Sequence, residues 1–179
     1  MRKELLFVFL STVFLISVQA QSGIGVGGSF GGGVISGNSP NVSAFSSSIY
    51  FEFETPFSED IIPRISFFYS QDFNRLLPES TNRYFPFLKG ISLKGVASQK
   101  VSESYFIEEA AGFIAINDHT FSDVNTWNFG VVSSIIAGFD FRDNLNIGWR
   151  LGGGMEFAFS FANTFAKYLT FNVQGDYYF

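Results

Sequence analysis

Cysteine is absent from this chain, and histidine occurs once. The first absence removes disulfide frameworks, thiolate-bound zinc and lipid attachment at a cysteine. It also suits an oxidising compartment, where a stray thiol is a liability. Charge is scarce too. Asp, Glu, Lys and Arg make up 15% of the 179 residues, against about 25% in an average globular protein. The formal net charge is −5, and no Lys/Arg stripe exists to displace counterions from phosphates, which excludes nucleic acid as a partner. No solenoid repeat or heptad is visible. Beyond the first twenty residues no apolar run approaches the roughly 20 residues of a spanning helix.

What is abundant is phenylalanine, at 25 residues, within an aromatic content of 19%. Glycine follows at 18, without the three-residue period of collagen. A water-facing surface normally carries mixed charge. So much apolar area with so few ions needs a large interface, and lipid is the simplest one. At the N-terminus, Met1-Arg2-Lys3 precedes an apolar run from Leu5 to Val18, closed by Val18-Gln19-Ala20. Positive start, apolar core and small-residue exit predict a signal peptide over 1–20 that is removed after Ala20. Residues 21–179 then form one mature domain, and later membrane residence must come from strands.

The hydrophobic period of that domain is two, the mark of strands with unlike faces. Over 127–141, Trp127, Phe129, Val131, Ile135, Ala137, Phe139 and Phe141 alternate with Asn128, Gly130, Ser134, Gly138 and Asp140. Leu145, Ile147, Trp149, Leu151, Met155 and Phe157 alternate with Asn146, Gly148, Arg150, Gly152, Gly154 and Glu156. After a bend near Asn163, Leu169, Phe171, Val173, Tyr177 and Phe179 alternate with Thr170, Asn172, Gln174 and Asp176. Earlier strands follow the same logic around Ile24 to Phe30, Ile49 to Phe53, Ile65 to Tyr69, 90–97 and 104–116. The count is eight, or ten if the longer connections hide short strands. Turns at 58–60 and 142–144 alternate with polar stretches at 35–44, 72–84 and 117–126, predicting short turns at one end and long loops at the other.

The polar face decides the direction. Gly130, Ser134, Gly138, Gly148, Gly152 and Gly154 line it in the last strands. Glycine weakens a strand facing water, whereas the lumen of an eight-stranded barrel has just enough space for side chains. The expected fold is therefore all-β: an antiparallel, up-and-down transmembrane β-barrel, with Phe51, Phe53, Phe67, Phe129, Ile135, Leu151, Phe171 and Val173 in its lipid band. The inverse arrangement is a secreted, lipocalin-like binder of apolar ligands, with the greasy face inward.

These features resemble the small outer-membrane β-barrel domains of the OmpX and OmpA-transmembrane type: a signal peptide, a glycine-rich opening strand, eight amphipathic strands and an aromatic terminus. The resemblance implies a bacterial outer-membrane location, and it implies that Phe171, Val173, Tyr177 and Phe179 are read by the barrel-assembly machinery. The lipid A deacylase barrels are of similar size, but place a His and a Ser two residues apart on one strand. Here the spacing of His119 and Ser122 is three, which puts them on opposite faces. His119 is also expected in a loop, solvated with Asp118 and Asp123 rather than binding metal.

Ions in a packed lumen must be paired. A hairpin centred on 58–60 sets Glu52 opposite Arg64. Arg150 is expected to approach Asp176 diagonally, with Asp140 and Glu156 as further members of a plugging salt-bridge set. Glu108 and Glu109 are neighbours, so one of them falls on the apolar face or at its rim. No catalytic motif, cofactor or metal is expected. The expected role is structural or surface-interacting, in a monomer surrounded by outer-membrane lipids. Loops 72–84 and 117–126, with Arg75 and Arg83, are the expected site for a surface ligand.

Overall fold

The computed structural model describes residues 23–37, 39–53, 60–77, 84–121, 125–143, 146–162 and 165–179. The leader and the expectations resting on Ser58, Glu59, Arg83, Ser122, Asp123, Asn144, Leu145 and Asn163 fall outside them. Eight strands run in chain order: β1 (Ile24–Ser36), β2 (Val42–Phe53), β3 (Ile62–Asp72), β4 (Phe87–Lys100), β5 (Tyr105–His119), β6 (Thr126–Asp140), β7 (Gly148–Ser160) and β8 (Lys167–Tyr178). Each pairs antiparallel with its neighbour, and β1 pairs with β8, so the sheet closes into a barrel. Closure removes every free edge, as hydrocarbon requires of a spanning sheet.

The direction of the two faces follows the alternation. Phe129 is 76% exposed and Phe171 63%, and Leu151 also faces outward, whereas Arg150 is 1% exposed. All eight residues assigned to the lipid band stand on the outer wall. A soluble binder with its greasy face inward is thereby excluded. Rings gather at both ends of the wall. At the turn end Tyr105 meets Phe139 at 4.8 Å, and Tyr177 meets Trp149 at 5.0 Å and Phe179 at 4.9 Å. At the loop end Phe159 meets Phe157 and Phe161, and Phe87 lies against Tyr69 and the His119 ring. Two aromatic girdles around an apolar band is the pattern of outer-membrane barrels.

Three expectations need correction. Half of the stretch 35–44 belongs to β1 and β2, because Ile35 still pairs with Val42 and Val34 with Ser43. Likewise Asn117 pairs with Trp127 and Asp118 with Thr126, so much of 117–126 belongs to β5 and β6. The contrast between the ends thus narrows to one long connection after β3, which opens with a 3₁₀ turn over Phe73–Leu76 capped by Asp72. Polar side chains such as Asn117 and Asp118 look like loop in sequence, but both are buried residues of β5.

The second correction concerns glycine. At Gly152 a Cβ would meet Ile136 and Phe106 side chains at 2.8 and 3.2 Å, so lumen crowding does demand a small residue there. At Gly130, Gly138 and Gly154 the nearest atom is a carbonyl oxygen of the adjoining strand, 2.0, 2.1 and 2.0 Å away. Those three let backbones approach in a tightly coiled wall.

The third concerns the lumen contents. Towards the loop end the interior is apolar, with Ile35, Leu88, Ile114, Ile116, Val132 and Tyr168 buried in one cluster. Glycine, serine and ions fill the rest, and Ser70, Asp72, Asp118 and Ser160 are buried around that cluster as well. An alternation of two registers which face a side chain takes, not what that face is made of at each height.

Candidate functional site

The charged side chains of the lumen come from strands that are far apart in sequence. Glu52 on β2 and Arg64 on β3 stand opposite each other in register and form an ion pair. Arg64 reaches further, to Glu108 on β5 at 2.7 Å. Glu108 also receives Arg150 from β7 at 3.2 Å. Arg150 donates to the Tyr178 hydroxyl at 2.9 Å, and Tyr178 in turn donates to Glu52. The result is a closed circuit of five side chains across the lumen, each about 1% exposed. The Arg150 guanidinium also lies 3.7 Å over the Phe106 ring, and Arg64 lies 4.4 Å over Tyr50. Aromatic faces thus cover the surfaces of both cations that carboxylates leave bare.

Towards the loop end, Lys94 of β4 donates to Glu156 of β7 at 2.6 Å, and the Tyr168 hydroxyl donates to the same carboxylate at 2.6 Å. At the turn end, Asp140 is gripped by Arg142 through two side-chain contacts of 2.9 and 2.7 Å. Carboxylates so held are stable in a low-dielectric interior because each has a cation and additional donors.

Arg150 and Asp176 face each other directly in the β7–β8 register, not diagonally. They are not an ion pair. The guanidinium turns across the lumen to Glu108, and Asp176 accepts from the Tyr50 hydroxyl instead. Asp140 does stand opposite Arg150 in the β6–β7 register, but its ion pair is with Arg142, and that of Glu156 is with Lys94. Glu108 is the central acceptor, the member of the adjacent pair that faces the lumen. Glu109 points outward and is exposed. Lys94 was invisible for a different reason. Its partner is 62 residues away and on the far side of the cylinder.

His119 is the last residue of β5 rather than a loop residue. Its ring stacks on Phe87 at 4.5 Å, and its Nε2 is buried with no hydrogen-bond partner among the described residues. Asp118 is fully buried and accepts from the Thr120 backbone and hydroxyl, so it is no solvated loop carboxylate. Above the rim, Phe73, Leu76 and Leu77 are exposed in the long connection beside Arg75.

No protein-family model matches the chain, and no curated protein matches it. Solved structures do. Neisserial surface protein A shares the fold with a TM-score of 0.69 at 8% identity, over 87% of this chain and 97% of that one. Ail, the attachment invasion locus protein of Yersinia pestis, solved in complex with the heparin analogue sucrose octasulfate, aligns with a TM-score of 0.52 at 12% identity, over 88% and 99%. At such identities the likeness is one of fold.

Proposed function

We propose that this chain, which has the eight-stranded fold of small outer-membrane barrels, is itself a non-enzymatic protein of a bacterial outer membrane. It reaches that membrane through a signal peptide over 1–20, and the mature domain, 21–179, sits there as a monomer among lipids. Its role is structural or surface-interacting. The observation that carries the reading is the outer wall, where Phe, Leu, Ile, Trp and Val face outward between two aromatic girdles. In water such a wall would aggregate. Fractionation of cells, together with mobility on a detergent gel before and after heating, tests the reading. Recovery of the folded chain in the soluble fraction would end it.

The lumen is plugged in this reading. The five-membered circuit fills the turn-end half and the apolar cluster fills the loop-end half, consistent with the tight interior of eight-stranded barrels. In planar bilayers the pure protein is expected to give no discrete openings. Stable, stepwise conductance would overturn the plug.

Surface interaction falls to the loop end. Phe73, Arg75, Leu76 and Leu77 offer apolar contact and a cation on a rigid scaffold. Ail, a barrel of the same fold, was solved with a sulfated ligand, which makes an anionic ligand a reasonable first probe for the loops at 72–84 and 117–126. Phe171, Val173, Tyr177 and Phe179 serve as the signal for the assembly machinery. An enzyme of the deacylase kind finds no support in the placement of His119, whose ring stacks on Phe87 and whose Nε2 has no hydrogen-bond partner among the described residues.

A further inference from the structure

Glu109 is the anomaly of the outer wall. It is the fifth residue of β5, between Ile107 and Ala111 on the outer face, exposed, with no hydrogen bond or ion pair among the described residues. A bare carboxylate facing hydrocarbon is unfavourable. Four residues separate it from Tyr105 in the turn-end girdle, which places it about 10 Å along the barrel axis from that rim for a tilted strand. Its register neighbours, Ala97 and Ile135, carry no compensating charge.

Beside it the wall is hollow. Gly95, Ala97, Glu109, Ala111, Ser133, Ile135 and Met155 line an open groove of about 530 Å³. Ala111, Ser133 and Phe157 also line a second groove, of about 560 Å³, reaching Phe113 and Phe159 further towards the loop end. The two form a trough with polarity: a carboxylate towards the turn end, then apolar lining towards the middle of the band.

We infer that this trough holds one phospholipid with a primary ammonium headgroup, from the leaflet at the turn end. The ammonium meets Glu109, and an acyl chain lies along Ala111, Ser133 and Phe157. Charge complementarity selects a cationic group, and the direction of the trough selects the leaflet. A lipid of the opposite leaflet would put its tail, not its headgroup, near the carboxylate. The inference rests on the membrane reading above.

The test is native mass spectrometry of the full barrel released from mild-detergent micelles, titrated with phosphatidylethanolamine or phosphatidylglycerol of matched chains. A charge-assisted hydrogen bond predicts that one phosphatidylethanolamine is retained with roughly tenfold preference. Glu109→Gln should reduce the preference to parity without changing heat-dependent gel mobility, and Ala111→Phe, which fills the trough, should lower retention of both lipids. An unchanged preference in Glu109→Gln, or equal retention of both lipids by the original protein, overturns the site. So does a dimer that dissociates in Glu109→Gln, since the occupant would then be a second copy. Wild-type protein that fails to fractionate with membranes defeats the membrane reading itself, a result distinguishable from loss of lipid preference in an inserted barrel.

Discussion

Two adjacent glutamates, Glu108 and Glu109, show how far a single position can differ from its neighbour in a strand. Glu108 accepts from two guanidinium groups that would otherwise face each other in the lumen. Replacing it with Ala leaves Arg64 and Arg150 short of negative charge, and removal of one partner from a buried ionic set costs roughly 3–5 kcal/mol. The expected result is a lower midpoint for unfolding in denaturant, measured in detergent. Glu109→Gln should not lower that midpoint in lipid-free detergent, since no partner within the protein is lost. Equal effects at both positions would mean that the two faces have been assigned wrongly. Gly138 and Gly153 make a second contrast. A Cβ at Gly138 would lie 2.1 Å from the Leu151 carbonyl oxygen, against 3.5 Å from the Asn172 oxygen at Gly153. Gly138→Ala should therefore reduce the yield of folded barrel strongly, and Gly153→Ala only slightly, as read from the heat-shifted band on a gel.

At the scale of elements, β1 and β8 illustrate how composition serves closure. A Cβ on Gly25 would lie 2.9 Å from the Tyr178 ring, and one on Gly27 would lie 2.5 Å from the Tyr50 ring. Glycine on the opening strand thus makes room for the aromatic hydroxyls that hold Glu52 and Asp176. The inward positions near the loop end work differently. Leu88 at the start of β4 and Ile114 and Ile116 near the end of β5 are buried with Ile35 and Val132. Truncating Leu88 to Ala should cost roughly 2–5 kcal/mol, as for core leucines elsewhere. That destabilisation should appear in the unfolding midpoint. An effect below about 0.5 kcal/mol, typical of a surface position, would show that the cluster is not a packed core.

For the whole molecule, the proposed plug has two layers along the cylinder, a buried ionic circuit towards the turn end and an apolar cluster towards the loop end. Glu108→Ala should not produce conductance in planar bilayers, because Leu88, Ile114 and Ile116 still occlude the loop-end half. Steady openings in that variant would place the whole seal in the ionic circuit. In the proposed reading the outer wall governs location and the loops govern recognition. Changes to the lumen should therefore alter stability without altering what the loop end binds.

Much of this was legible from period two alone. Alternation is a property of each strand, so the outward residues Phe51, Phe129 and Leu151 and the inward Arg64, Arg150 and Asp176 could be assigned one strand at a time. The Glu52–Arg64 juxtaposition was accessible too, because a hairpin fixes its own register. Contacts across the lumen are different in kind. Arg150 faces Asp176 in register yet pairs with Glu108, and Lys94 finds Glu156, because closure of the sheet brings β3, β4, β5 and β7 around one shared interior. Local sequence carries the orientation of a side chain, whereas the identity of its partner depends on curvature, shear and the reach of long side chains through a common space. Only the folded cylinder decides that, and only there does Glu109 become the one acidic side chain left on the greasy side of β5.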